Sequence, residues 1–208
     1  MKKSSAFLCA CLSAVLFAAC TTEINITAKE NDKIEVSFKG AAGKAFADLI
    51  SSADGESAGV EFDLKQISYE LAKNGFTNVQ VNSKTGSDLD IKMSDFEKKS
   101  TLFTSQILSL QKGNLKALLS PQQLKNFYNQ SDENIVQFLD LLLAPVFNDE
   151  VMTSEEYLET IASFYGDAVA SEISQTNFKI TLTNLDGSQT IKIIPLADLL
   201  AISAAMEI

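Results

Sequence analysis

The sequence predicts an α+β fold: an antiparallel sheet built from three β-hairpins, one face covered by helices, with an all-helical insert between the second and third hairpins. Three observations carry this. Apolar and polar residues alternate with period two in three stretches that each fold back over a turn. A helical repeat of apolar residues follows each of them. A long helical block between the second and third is bounded by helix-start signatures.

In "INITAKENDKIEVSF" a five-residue loop at Lys29 to Lys33 sets Ile26 against Val36 and Ile24 against Phe38. In "VQVNSKTGSDLDIKM" a three-residue loop at Thr85 to Ser87 sets Val81 opposite Ile91 and Val79 opposite Met93. In "FKITLTNLDGSQTIKII" a two-residue Asp186-Gly187 loop pairs Leu182 with Ile191 and Ile180 with Ile193. Each hairpin then has one apolar face, and helices at about Gly43 to Ser52, Leu64 to Asn74 and Leu196 to Ala205 are expected to cover it. Within the insert, at about residues 96–175, Ser120-Pro121-Gln122-Gln123 and Thr153-Ser154-Glu155-Glu156 read as capping boxes, so helices should begin near Pro121 and Ser154. Between them "ENIVQFLDLLLAPVF" is apolar nearly all round, the pattern of a helix buried in a bundle, and Pro145 should end or kink it.

Composition removes whole classes of chemistry. The 17 basic residues are all lysine, and the chain has no histidine, arginine or tryptophan. A Ser-His-Asp or Cys-His nucleophile is therefore excluded, as is zinc held by histidine. Arginine's two-pronged grip on phosphate is missing, and a net charge of −10 opposes nucleic-acid binding. No cofactor or metal is expected. Carboxylate-pair, Ser-Lys and oxygen-held cation chemistry remain. The short matches that might supply them do not hold together. The glycines of "KGAAGKAF" are too close for a phosphate loop, with Ala45 where Ser or Thr would stand. "SKTG" at Ser83 and "SLQK" at Ser109 occur in the wrong order for penicillin-binding motifs. "SDLD" at Ser87 lacks the ligand series of a calcium loop.

Charge is segregated. From Cys20 to Lys125 there are 14 acids against 13 lysines, and from Asn126 to Phe178 ten acids against none. Asp149, Glu150, Glu155, Glu156 and Glu159 are the densest group. They form a candidate docking face for a basic partner or divalent cations, set against the plainer reading of a solvated helix face with acids at its N-terminus. Phe103, Phe127, Phe138, Phe147 and Phe164 are candidate liners of an apolar pocket between sheet and insert, or else ordinary core.

The opening residues concern the compartment. Lys2 and Lys3 precede an apolar run from Ala6 to Ala19 broken only by Ser13, and Ala18-Ala19 sits before Cys20. The run is shorter than the roughly 20 residues of a membrane-spanning helix and has the layout of a signal peptide. Phe17-Ala18-Ala19-Cys20 resembles the lipobox of bacterial lipoproteins, in the relaxed form of spirochaetes, with Phe17 where leucine is usual. The resemblance covers the first twenty residues and no family is recognised for the rest. It implies residues 1–19 as the signal peptide and an acylated Cys20 as the mature N-terminus; the length of residues 20–208 suits a single domain. Cys9 and Cys11 would leave with the leader, so no free thiol would remain and no disulfide could form. Two or more acyl chains would make a stable membrane anchor. Thr21, in place of the aspartate that retains enteric lipoproteins at the inner membrane, suggests the outer membrane of the bacterial cell envelope.

The reading that follows is a lipid-anchored envelope protein acting as a non-catalytic binding or assembly module. The alternatives are a carrier of an apolar ligand such as a lipid, and a carboxylate-dependent hydrolase. The expected partners are the membrane, through the N-terminal lipid, and an envelope protein.

Overall fold

The computed structural model describes residues 21–45, 47–48, 62–130, 143, 148 and 150–208. Strand β1 (Thr21–Lys29) and strand β2 (Lys33–Ala41) form the first hairpin in the expected register, Ile26 facing Val36 and Ile24 facing Phe38. The ladder runs on to Lys29 opposite Lys33, so the loop itself is three residues. Its Asn31 and Asp32 both have positive φ, 59° and 58°, which these two residue types tolerate best after glycine.

Helix α1 (Leu64–Lys73) starts where the Asp63 carboxylate accepts the N–H groups of Lys65 and Gln66, and it buries Ile67 and Leu71, one turn apart. Strands β3 (Thr77–Asn82) and β4 (Asp88–Asp95) form the second hairpin with Val81 opposite Ile91 as expected. A register shift lies between Thr77 and Gln80, around Asn78 at φ 52°, where Val79 was expected to face Met93.

The stretch after β4 is not all-helical. A short helix α2 (Thr101–Thr104) is followed by a fourth hairpin, β5 (Leu108–Gln111) and β6 (Asn114–Leu119), with Leu110 opposite Leu115. The signal was present: Leu108, Leu110, Leu115 and Ala117 alternate about a Lys112-Gly113 loop in which both residues have positive φ. Helix α3 (Pro121–Gln130) begins at its proline, with Ser120 hydrogen-bonded to Gln123. Helix α4 (Ser154–Tyr165) begins at a complete capping box on Thr153, and Gly166, at φ 91°, separates it from α5 (Asp167–Gln175). The apolar segment 133–147, with Pro145, lies outside the described residues apart from Leu143, which is buried.

Strands β7 (Asn177–Thr183) and β8 (Gln189–Pro195) form the last hairpin, but in a register one residue away from the expected one. Leu182 faces Thr190, Ile180 faces Lys192 and Phe178 faces Ile194. Helix α6 (Leu196–Leu200) is shorter than expected, because the chain leaves it to form β9 (Met206–Glu207), which pairs with β6.

The six-stranded sheet runs β3-β4-β2-β1-β7-β8, and β5-β6-β9 form a second, smaller one. In the six-stranded sheet neighbouring strands are antiparallel except β1 and β7, which are parallel, with Ile24 beside Ile180. A parallel pair needs a crossover, and here β2, the β3–β4 and β5–β6 hairpins and helices α1 to α5 lie between the two strands. One face of the sheet carries Ile26, Val36, Phe38, Ile91, Phe178 and Leu182, which form one buried cluster with Ile67, Tyr157, Ile161, Ile173 and Leu196 from the helices. The other face can be read in rows across five of the strands. One row runs Ile193, Lys179, Glu23, Lys39, Asp90; the next runs Ile191, Thr181, Asn25, Ser37, Lys92.

Candidate functional site

Helix α4 presents the acidic face. Its inward stripe is Tyr157 and Ile161, both buried, which turns residues 155, 159 and 163 outward. Burial raises the Tyr157 phenol far above its ordinary pKa, so it stays neutral. Glu156 already has a structural partner: its Oε2 accepts the Thr153 N–H at 2.8 Å while Thr153 Oγ1 accepts the Glu156 N–H at 3.2 Å. Glu150, Glu155 and Glu159 are exposed and have no ion-pair partner among the described residues. Asp149 lies outside the described residues.

The acids are not alone on this face. Glu150, Val151, Met152, Glu156, Glu159, Thr160, Ser163 and Phe164 line a shallow, open depression of about 680 Å³. Val151 is 83% and Phe164 75% exposed, so two large apolar side chains stand in water beside carboxylates. Such a surface offers a cation both charge and an apolar rest. Among the described residues no group of three or more His, Cys, Asp or Glu is placed to hold a metal ion, so the divalent-cation form of the docking reading finds no ligand set there.

The five phenylalanines are not brought together by what is described. Phe103 is half-buried against the core and Phe164 stands on the acidic face. The Phe127 side chain, Phe138 and Phe147 lie outside the described residues. Cys20 lies outside them too, and strand β1 begins at the very next residue. No helix among the described residues is long and apolar enough to cross a membrane.

Sequence reasoning missed the polar face of the sheet as a surface. Asn25, Thr27, Glu35, Ser37, Asn78, Gln80 and Lys92 line a depression of about 670 Å³ there. Charges alternate across one row, with Lys179 to Glu23 at 3.2 Å and Lys39 to Asp90 at 3.8 Å. Alternation along each strand gives these side chains their face, but the rows need the strand order, and the position of β7 beside β1 is not written in local pattern.

No protein-family model matches the chain, and neither a curated protein nor a solved structure matches it.

Proposed function

We propose that the protein is a lipid-anchored protein of the bacterial envelope, at the outer membrane, acting as a non-catalytic binding or assembly module. The observation that carries the docking part is the α4 face: three exposed carboxylates with no ion-pair partner among the described residues, and Val151 and Phe164 exposed among them. Exposed apolar residues rimmed by charge are a common mark of an interaction surface. The partner that suits it is a basic protein surface carrying an apolar anchor. Support for the tether is the Phe17-Ala18-Ala19-Cys20 box. Because β1 starts at Thr21, acyl chains on Cys20 would hold that end of the sheet directly against the bilayer with no spacer.

Two measurements test this. Metabolic labelling with a fatty acid should mark the protein and fail to mark Cys20→Ser; label retained by that variant refutes the tether. Glu155→Gln with Glu159→Gln should leave stability nearly unchanged, since exposed charges contribute tenths of a kcal/mol. It should also weaken capture of the envelope partner and flatten its salt dependence. Equal capture by both proteins at two ionic strengths refutes the docking face.

A further inference from the structure

Strand β8 is the last strand of the six-stranded sheet, and among the described residues no strand pairs with its outer side. Two backbone hydrogen bonds fix which of its residues face outward. Asn184 N–H donates to Ser188 C=O, and Leu196 N–H to Thr176 C=O, both at 2.9 Å and both in step with the β7–β8 register. Bonded and non-bonded pairs alternate along an antiparallel ladder. Thr190, Lys192 and Ile194 therefore direct their backbone groups to β7, and Gln189, Ile191 and Ile193 direct theirs away from it. Pro195, which has no N–H, occupies the next outward position, where none is missed. The same alternation places the outward residues' side chains on the polar face, where Ile191 is 55% and Ile193 60% exposed.

Proteins usually blunt such an edge with charge, bulges or cover. Here the ladder is regular, and Lys192 is the one charged residue of the strand. We propose that this edge pairs with the same edge of a second copy, β8 against β8, antiparallel about a two-fold axis through Ile191, so that the sheet continues across both molecules. The edge is self-complementary in that register. Its outward residues are symmetric about Ile191, so Ile191 meets Ile191 and Gln189 meets Ile193, each pair bonded reciprocally. Charge disfavours one neighbouring register: Lys192 here faces Thr190 of the second copy, whereas a slide of two residues one way would set Lys192 against Lys192, and directly opposed like charges are destabilising.

The axis is normal to the sheet, so the two β1 starts lie at opposite ends of the dimer. Copies tethered through Cys20 can then pair within one bilayer only with the sheet lying along it.

Sedimentation of the full chain in detergent tests the pairing. A strand edge buries less than the ~1,200 Å² of a standard interface, so a weak monomer–dimer equilibrium is expected, visible by about 0.5 mM. Ile191→Pro removes an N–H that the monomer does not use, and should weaken the dimer by roughly tenfold or more while circular dichroism shows the fold retained. Thr190→Glu places a carboxylate opposite each Lys192 and should tighten the dimer by roughly threefold, more at low salt. A chain that stays monomeric throughout, or a dimer indifferent to both substitutions, overturns the proposal. So does capture of a different polypeptide at β8 by a chain that does not self-associate.

Discussion

The first and last hairpins begin from the same kind of sequence and end differently. Both alternate apolar and polar residues about a polar loop, yet β1–β2 takes the register the alternation predicts and β7–β8 lies one residue away. The loop makes the difference. Gly187 N–H donates to Asn184 C=O, Gly187 has φ 84°, and Asn184 N–H closes on Ser188, a three-residue loop ending in a left-handed glycine. The Asp186 carboxylate, held below its usual pKa by the Ser188 hydroxyl and N–H, ties the turn together. Against the expected two-residue loop, the third loop residue moves every residue beyond it to the other face, whereas the first hairpin's three-residue loop keeps the parity of the five-residue loop expected there. Burial supplies the reason: β8 holds Ile191, Ile193 and Ile194, whose parities conflict, and the observed register buries Ile194 beside Phe178 and leads Leu196 into the core at the start of α6. Strands β1 and β2, paired on both sides, have no such choice.

Truncation on β8 should separate the two registers by the largest effect. Ile194, 1% exposed, should lose about 2–5 kcal/mol as Ile194→Ala in denaturant unfolding, whereas Ile193→Ala should stay within about 0.5 kcal/mol. The expected register would reverse that order. Smaller effects sharpen the role of the loops. Gly187→Ala meets no atom within 4 Å but must hold a positive φ, so a loss of about 1 kcal/mol is expected from backbone strain alone. Thr153→Ala should lose about 1 kcal/mol with its half of the α4 capping box. The smallest effect concerns the turn of the second hairpin, where Asp88 accepts from the Thr85 hydroxyl and from the N–H groups of Thr85 and Lys84, which lowers its pKa to about 2. A depressed carboxylate stabilises the fold above its unfolded pKa near 4, and that contribution fades as pH falls towards 2. Thermal melts of Asp88→Asn against the unaltered chain should therefore differ at pH 6 and converge near pH 2.

Much of the fold was legible where one face is buried and local chemistry agrees with it. The registers at Ile26–Val36 and Val81–Ile91, the start of α3 at Pro121 and the Thr153 capping box all follow from residues within a few positions of one another. What was not legible depends on partners far along the chain. The parallel pairing of β1 with β7, and the closing of β9 on β6, join segments that no local period links. The candidate site divides the same way. The outward placement of Glu155 and Glu159 follows from helical spacing against Tyr157 and Ile161, but the exposure of Val151 and Phe164 beside them does not. The open edge at β8 was hidden by the loop, since the two-residue reading of Asp186-Gly187 puts Ile191 and Ile193 inside.

Amide hydrogen exchange along β8, followed in the full chain from dilute to concentrated solution, reads both the register of the strand and its open edge. When dilute, the N–H groups of Gln189, Ile191 and Ile193 should exchange fast while those of Thr190, Lys192 and Ile194 stay protected. On concentration the first set should slow and the second should not change. Protection of Ile191 and Ile193 at every dilution, with Thr190, Lys192 and Ile194 exchanging freely, would contradict it.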